Sequence, residues 1–352
     1  MLRGAVRTPS LGLAVGDGRV RVAEMQRSRL LGGAVAAVEE LGWSRVTTAS
    51  IVSRARVSRR TFYDLFSDRE DCLLEVLQNT TGRIAEELEA GIPDGLSWRE
   101  RVRTGLWIIL SFFDREPELA RLCVVGSARG GRRVLEWREE VLARLTAIVD
   151  EGRLEGERAA RVPSLTAEGL VGAVLTILSR RLSASQRESL SDLVGDLMGM
   201  IVLPYLGPAA ARSERTRPAP TPPATASMTG PLASSVPRAY RAGEDPLRDV
   251  PMRLTYRTAL VLEGVAQNPG ASNRIIGERA EVYDQGQISK LLGRLERLGL
   301  LANTGEGHSK GEPNAWRLTE VGERVVQHLA LSTDLSQEHD AWAPHTTTKE
   351  QG

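Results

Sequence analysis

Between Arg45 and Arg60 the chain carries five arginines, Arg45, Arg54, Arg56, Arg59 and Arg60, and no acidic residue. Guanidinium groups neutralise phosphates, and in the major groove one of them can donate two hydrogen bonds to a guanine. Hydroxyl side chains stand among them and continue past them. Thr47, Thr48, Arg56, Ser58, Arg59, Arg60, Thr61, Tyr63 and Arg69 form the candidate DNA-contacting set, centred on about residues 47–66.

Local punctuation says how such a set would be held. Thr47 is a suitable N-cap, and Ile51, Val52 and Ala55 then share one helical face. Val57 closes a turn, and Ser58 caps a second helix with Arg59, Arg60, Thr61 and Tyr63 on its polar side and Phe62, Leu65 and Phe66 on its apolar side. Ser67 and Glu70 have the spacing of a capping box for a third helix. Upstream, Leu30, Ala34, Val38 and Leu41 form a stripe on a helix expected over residues 21–41, broken at Gly42-Trp43.

From about Arg21 to Leu77 these residues resemble the amino-terminal domain of the TetR family of transcriptional regulators, most specifically in the Tyr63-x-x-Phe66-x-x-Arg69 spacing. The resemblance implies a phosphate contact at Tyr63 and a place for Arg69 at the start of helix four near the DNA backbone. It also implies a helical domain that binds a small molecule and forms a homodimer. One departure stands in the turn, where the family commonly has Gly and this chain has Arg56. A left-handed backbone costs a non-glycine residue about 1 kcal/mol, so either the turn is reshaped or Arg56 bears the strain.

The chain has 352 residues and a formal net charge of +1, so basic character is local rather than global. Cys72 and Cys123 lie in apolar helical contexts without a C-x-x-C partner, which argues against a disulfide framework or a zinc site. No metal or other cofactor is expected. Apolar runs such as residues 106–113 fall short of a membrane span, no signal peptide is evident, and a cytoplasmic location with no membrane partner is expected.

The fold class expected is mainly α, and five further segments complete the division begun by the 21–77 domain. Residues 1–20 read as a flexible arm and 78–207 as a helical ligand-sensing and dimerisation bundle, with breaks at 91–95, Pro117 and Pro163. Trp107, Phe112, Phe113, Cys123 and Trp137 are candidate pocket walls, although aromatics at helical spacing more often serve as ordinary core. Segments 165–182 and 186–203, rich in Gly and Ala, read as a helix pair for the two-fold interface that a palindromic operator requires. Pro204 to Gly207 is expected to end the bundle. Residues 208–246 hold eight of the 17 prolines and read as a linker, and 331–352 as a disordered tail.

Residues 247–330 repeat the opening logic. Ser272, Ile276, Ala280 and Val282 stand at the offsets of Thr47, Ile51, Ala55 and Val57, with Glu281 in the place of Arg56. A helix over about 284–298 buries Ile288, Leu291, Leu292, Leu295 and Leu298 and leaves Gln285, Gln287, Ser289, Lys290 and Arg294 outward. Two short strands, 300–304 and 315–318, flank a loop bearing His308 and Lys310. Together these resemble a MarR-like winged helix-turn-helix, with those seven polar residues as a second DNA-contacting set.

The function expected is a ligand-responsive dimeric regulator, acting as a repressor on duplex operator DNA, with an effector of unknown identity. The competing readings are an adaptor whose winged helix grips a protein, and an enzyme within the helical domain. For the enzyme, the four histidines (His308, His328, His339, His345) all lie outside that domain, which also lacks metal-ligand spacing or a nucleophile with a plausible base. The chain is therefore expected not to be an enzyme.

Overall fold

A computed structural model describes residues 15–184, 189–218, 255–305 and 314–327. It is mainly helical and divides into two compact units, one drawn from residues 1–32, 55–65 and 237–352, the other from 33–54 and 66–236.

Helix α1 spans Val15–Leu41, beginning six residues before the expected start, so part of the predicted 1–20 arm is helical. Leu30 and Ala34 of its stripe are buried, whereas Val38 and Leu41 are only partly covered. Then come α2 (Thr48–Ala55), α3 (Arg59–Leu65) and α4 (Arg69–Gly91). The expected capping box shifts by one residue. Asp68, not Ser67, caps α4, accepting from the Asp71 backbone N–H at 2.8 Å, while Asp71 accepts from both the N–H and the hydroxyl of Ser67.

The bundle continues with α5 (Trp98–Arg115), α6 (Pro117–Arg121), α7 (Arg132–Asp150), α8 (Glu157–Ala160), α9 (Leu165–Ser183) and α10 (Val194–Thr216). The expected breaks fall at helix boundaries: 91–95 begins on the last residue of α4, Pro117 is the first residue of α6, and Pro163 lies between α8 and α9; an additional break at Gly130-Gly131 precedes α7. Helix α4 packs along α5 and touches α7, α7 packs on α9, and α5 on α10. At one end of the bundle the Trp98 indole N–H donates to the Ile148 carbonyl at 2.8 Å and its ring meets Tyr205 edge-on at 5.3 Å. Gly152 makes room for both rings, since a Cβ there would come within 2.6 Å of Trp98 and 3.0 Å of Tyr205.

The expected end of the bundle at Gly207 is corrected. Gly207 takes φ 85°, a left-handed conformation that breaks α10, but helix resumes through Thr216 instead of giving way to linker at Pro208. The returning segment is pinned by Glu214, fully buried, whose carboxylate pairs with Arg103 at 2.5 Å and with Arg99. Arg103 also donates to the carbonyls of Arg217 and Pro218, at 2.8 and 2.9 Å. The stretch 191–216 is long and apolar enough to cross a membrane by length and composition. Its break at Gly207 leaves an apolar piece, 194–206, well short of the ~20 residues a span needs, and Glu214 follows within the same stretch. Linker residues 219–246 lie outside the described residues, as do 331–352.

In the other unit α11 (Tyr256–Gln267), α12 (Asn273–Arg279) and α13 (Gln285–Arg297) precede an antiparallel pair, β1 (Leu301–Asn303) and β2 (Trp316–Leu318). Leu301 pairs with Leu318 and Asn303 with Trp316; Ala271 adds an isolated bridge to Trp316. Residues 320–327 are helical. The core joins Leu262, Ile276, Ile288, Leu292, Trp316 and Val325, and Val22 and Met25 of α1 belong to the same apolar cluster. As expected, Ile288, Leu292 and Leu295 are fully buried on α13, and Leu291 and Leu298 pack against the cluster from its edge.

Two consequences are measurable. Glu214→Gln leaves two arginines without their shared anion, and removing one partner of a buried pair typically costs about 3–5 kcal/mol. Denaturant unfolding of the variant should register a loss of that order. Asp114 supplies the pH-dependent case. Burial pushes its carboxyl up, but hydrogen bonds from the Ser189 hydroxyl and the Leu190 and Ser191 N–H groups outweigh burial and hold it below the usual range. A depressed folded value adds stability above the unfolded carboxylate value of about 3.9, and that stability disappears as pH falls through the folded value. The stability deficit of Asp114→Ala should be full at neutral pH and fade in strong acid.

Candidate nucleic-acid interface and effector cavity

Helix α2 starts from a reciprocal cap. Thr47 Oγ1 accepts from Ser50 N–H at 3.1 Å, and Ser50 Oγ accepts from Thr47 N–H at 3.0 Å. Thr48 is the first helical residue and half-buried. Arg56 then adopts φ 52°, so the chain bears the left-handed turn without glycine instead of reshaping it. Val57 is buried behind it. Ser58 caps α3, accepting from Thr61 N–H at 3.0 Å and sharing a 2.8 Å hydrogen bond with the Thr61 hydroxyl.

Two of the five arginines turn back onto the chain. Arg45 folds back to donate to the Leu41 carbonyl at 2.7 Å, and Arg54 donates to the Ser50 carbonyl at 3.0 Å and pairs with Glu40. Arg54's hydrogen bond holds the Glu40 carboxyl below its ordinary range. Arg56, Arg59 and Arg60 are exposed, and Tyr63 is 59% exposed with its ring edge-on to Phe62 at 5.4 Å. Phe62 and Phe66 are buried. Helix α3 thus presents Arg59, Arg60 and Tyr63 outward, while Thr61 is half-covered. Arg69 donates to the Val46 carbonyl, tying the first residue of α4 to the chain just before α2.

The second predicted set is equally surface-directed. Gln285, Gln287, Ser289, Lys290 and Arg294 are all exposed on α13. Its N-cap is Asp284, which accepts from Gln287 N–H at 2.6 Å. Glu281 takes φ 57°, matching Arg56. Gly277 is required just before this turn because a Cβ would stand 2.8 Å from the Val282 carbonyl. Asn273 accepts from the Trp316 indole at 2.6 Å and from Asn314 at 3.1 Å, fastening the strand pair to α12. His308 and Lys310 lie outside the described residues.

Within the bundle, α4, α5, α7, α9 and the 122–126 segment line a partly open cavity of about 530 Å³, inside the range of small-molecule sites. Of the predicted walls, Phe113, Cys123 and Trp137 line it. Trp107 is not among the lining residues, and Phe112 is fully buried in core packing, with the Arg83 guanidinium 5.0 Å from its ring centre and Phe113 at 6.2 Å. These two are corrected: Phe112 is a core packing position, and Trp107 is half-buried outside the wall that its neighbour Leu106 joins. The aliphatic walls, among them Ile84, Leu88, Leu106 and Leu175, and the cation Arg138 were not foreseen. Burial pushes the Cys123 thiol up to about 12, against a weaker opposing hydrogen bond from Thr80, so at neutral pH it is a protonated apolar wall and no thiolate nucleophile.

Residues 30–76 match the family model described as bacterial regulatory proteins, tetR family. The N-terminal domain is of the tetR type. No curated protein matches the chain. Solved structures similar to it include the fatty acid degradation regulator FadR from Bacillus halodurans, 17% identical with a TM-score of 0.45 over 50% of this chain and 94% of that one. FadR from Bacillus subtilis, solved with stearoyl-CoA, is 19% identical with a TM-score of 0.44 over 51% and 97%. TylP, a tetR regulator from Streptomyces fradiae, is 18% identical with a TM-score of 0.42 over 53% and 90%.

The tetR-type turn yields a separable prediction. Arg56→Gly relieves a positive φ and should raise thermal stability by about 1 kcal/mol. If Arg56 meets a phosphate, loss of its cation should at the same time flatten the salt dependence of DNA binding by about one unit of slope.

Proposed function

We propose that the protein is a ligand-responsive, dimeric, DNA-binding transcriptional regulator that acts as a repressor in the cytoplasm. The observation that carries this reading is the exposed Arg59-Arg60-Tyr63 surface of α3, placed after a capped helix and a turn within the tetR-type domain. Arg59 and Arg60 supply base and phosphate contacts, Tyr63 and Arg56 flanking phosphate contacts, and Thr47, Thr48, Ser58 and Thr61 hydroxyl donors near the backbone. Arg69 acts indirectly, by fixing where α4 begins.

The cavity is the effector site in this reading. Cys123 and Val124 of its wall belong to a π-helical turn, Leu122–Gly126, that follows α6. The same short stretch reaches the N-terminal helices: Arg121 forms a two-pronged ion pair with Glu39, and a Cβ on Gly126 would come within 3.0 Å of the Trp43 ring. A molecule that fits one arrangement of this stretch better than another shifts the population, and a coupling of about 1–3 kcal/mol changes operator affinity roughly 5- to 150-fold. Two protomers meet along α9 and α10, where Gly169 and Gly172 have open space before them and Leu165 and Leu203 are exposed.

The C-terminal unit serves as a second, winged-helix DNA module reading through Gln285, Gln287, Ser289, Lys290 and Arg294. A protein-binding role is favoured instead by Tyr283, 78% exposed, and by the exposed Ile275 nearby in sequence.

Binding-site selection from random duplex DNA with the full chain tests these readings. A short palindrome alone assigns specificity to the N-terminal pair and directs the C-terminal unit to a protein partner. A palindrome with additional flanking bases, lost on deleting residues 208–352, makes both units DNA readers. Absence of any enriched sequence overturns the regulator reading.

A further inference from the structure

The cavity walls are mainly aliphatic and aromatic, with three arginines, Arg101, Arg138 and Arg144, and two glutamates, the exposed Glu140 and Glu151, among the lining residues. Arg101 is already neutralised by an ion pair with Glu151, and Arg144 is exposed, where water screens its charge. Arg138 differs from both. It is half-buried on α7, one residue past Trp137 in the cavity wall, and it donates from Nη1 to the neutral Ser127 hydroxyl at 2.8 Å. No carboxylate pairs with it among the described residues, and desolvation alone pushes its pKa down. A half-buried guanidinium beside largely apolar walls lacks the charge-assisted partner that normally accompanies such burial.

We propose that the effector is an apolar molecule bearing a single carboxylate-like anionic group, and that Arg138 holds the anion while the cavity takes the apolar body. This deepens the effector reading of the cavity and rests on it. The fork of N–H donors suits a planar carboxylate, and a low-dielectric surround makes the pairing stronger than it would be at the surface. Ser127 makes the contact consequential. Its hydroxyl donates to the Cys123 carbonyl while accepting from Arg138, so it spans the irregular turn whose far side meets Trp43. An anion drawing Arg138 away from Ser127 acts directly on the turn that lines the cavity and packs against Trp43, ahead of α2.

Decanoate and decan-1-ol, equal in chain length and different in charge, are the probes, with titration calorimetry on the full-length protein at concentrations below aggregation. Decanoate should bind the native chain at least tenfold more tightly than decanol. Arg138→Gln should remove that preference and leave decanol binding unchanged, and Arg138→Lys should restore part of it. Equal or tighter binding of decanol, a preference that survives Arg138→Gln, or binding of neither probe overturns the assignment of Arg138. Should Arg138→Gln fail to fold, the native comparison and the lysine variant decide the matter. Leu106→Trp, which fills the cavity, should abolish binding of both probes. Undiminished binding there overturns the cavity as effector site, whereas loss of the charge preference alone leaves that site standing.

Discussion

Helix α4 cannot be placed for one task without being placed for the other. Its first residue, Arg69, is bonded to the Val46 carbonyl ahead of α2, and 15 and 19 residues later Ile84 and Leu88 stand in the cavity wall. A helix of this length runs about 35 Å as a nearly rigid rod, so a displacement at one end is not absorbed along the way. Its N-terminus is accordingly over-determined. Asp68 caps it and receives two hydrogen bonds from Arg133 at 2.6 and 2.8 Å, Asp71 closes back on Ser67, and Glu70 meets the Val134 N–H. The anchoring arginine belongs to α7, the helix that also carries Trp137 and Arg138.

That arrangement explains why residues of the DNA-reading region differ so much in role despite similar chemistry. Arg45 spends its hydrogen bond on the Leu41 carbonyl of α1, Arg54 on the Ser50 carbonyl of its own helix and the Glu40 carboxylate of α1, and Arg69 on the Val46 carbonyl. Arg59 and Arg60, one helix later, are exposed. A surface ion pair such as Arg54–Glu40 adds little to stability, generally less than about 1 kcal/mol, so its effect is mainly one of position.

What could be read directly from the sequence was local. Hydroxyl caps, the offsets shared by Val57 and Val282, and the buried stripe of α13 all follow from backbone chemistry within a few residues. The cap of α4 was misplaced by one because Ser67 and Asp68 are both good caps, and only the geometry of Asp71 distinguishes them. The return of the chain after Gly207 was hidden for a different reason. Gly followed by Pro reads as a stop, and nothing near Glu214 announces that its partners lie more than 100 residues earlier, at Arg99 and Arg103. Cavity walls share their residue types and spacing with ordinary core, which is why Phe113 and Trp137 were recovered together with Trp107 and Phe112, which are not lining residues. Arg138 was invisible to pattern reading, since a charged residue on a helix defaults to the solvent side.

The two left-handed turns show how far tertiary structure can override a local preference. Arg56 and Glu281, of opposite charge and without glycine's freedom, take φ values of 52° and 57° at equivalent offsets. Side-chain charge therefore does not select the conformation. What the two turns share is a pair of buried apolar neighbours, Ala55 and Val57 in one and Ala280 and Val282 in the other. Burying both neighbours on either side of a single exposed residue leaves that residue little choice of backbone, and the gain from two covered side chains exceeds the roughly 1–2 kcal/mol that the left-handed conformation costs. The turn then has a side chain of arbitrary type facing outward: a cation in the first case, where positive charge is concentrated, and an acid in the second, where acidic and basic residues are mixed. Equivalent backbones thus carry different electrostatics, and the first is the better suited to a phosphate.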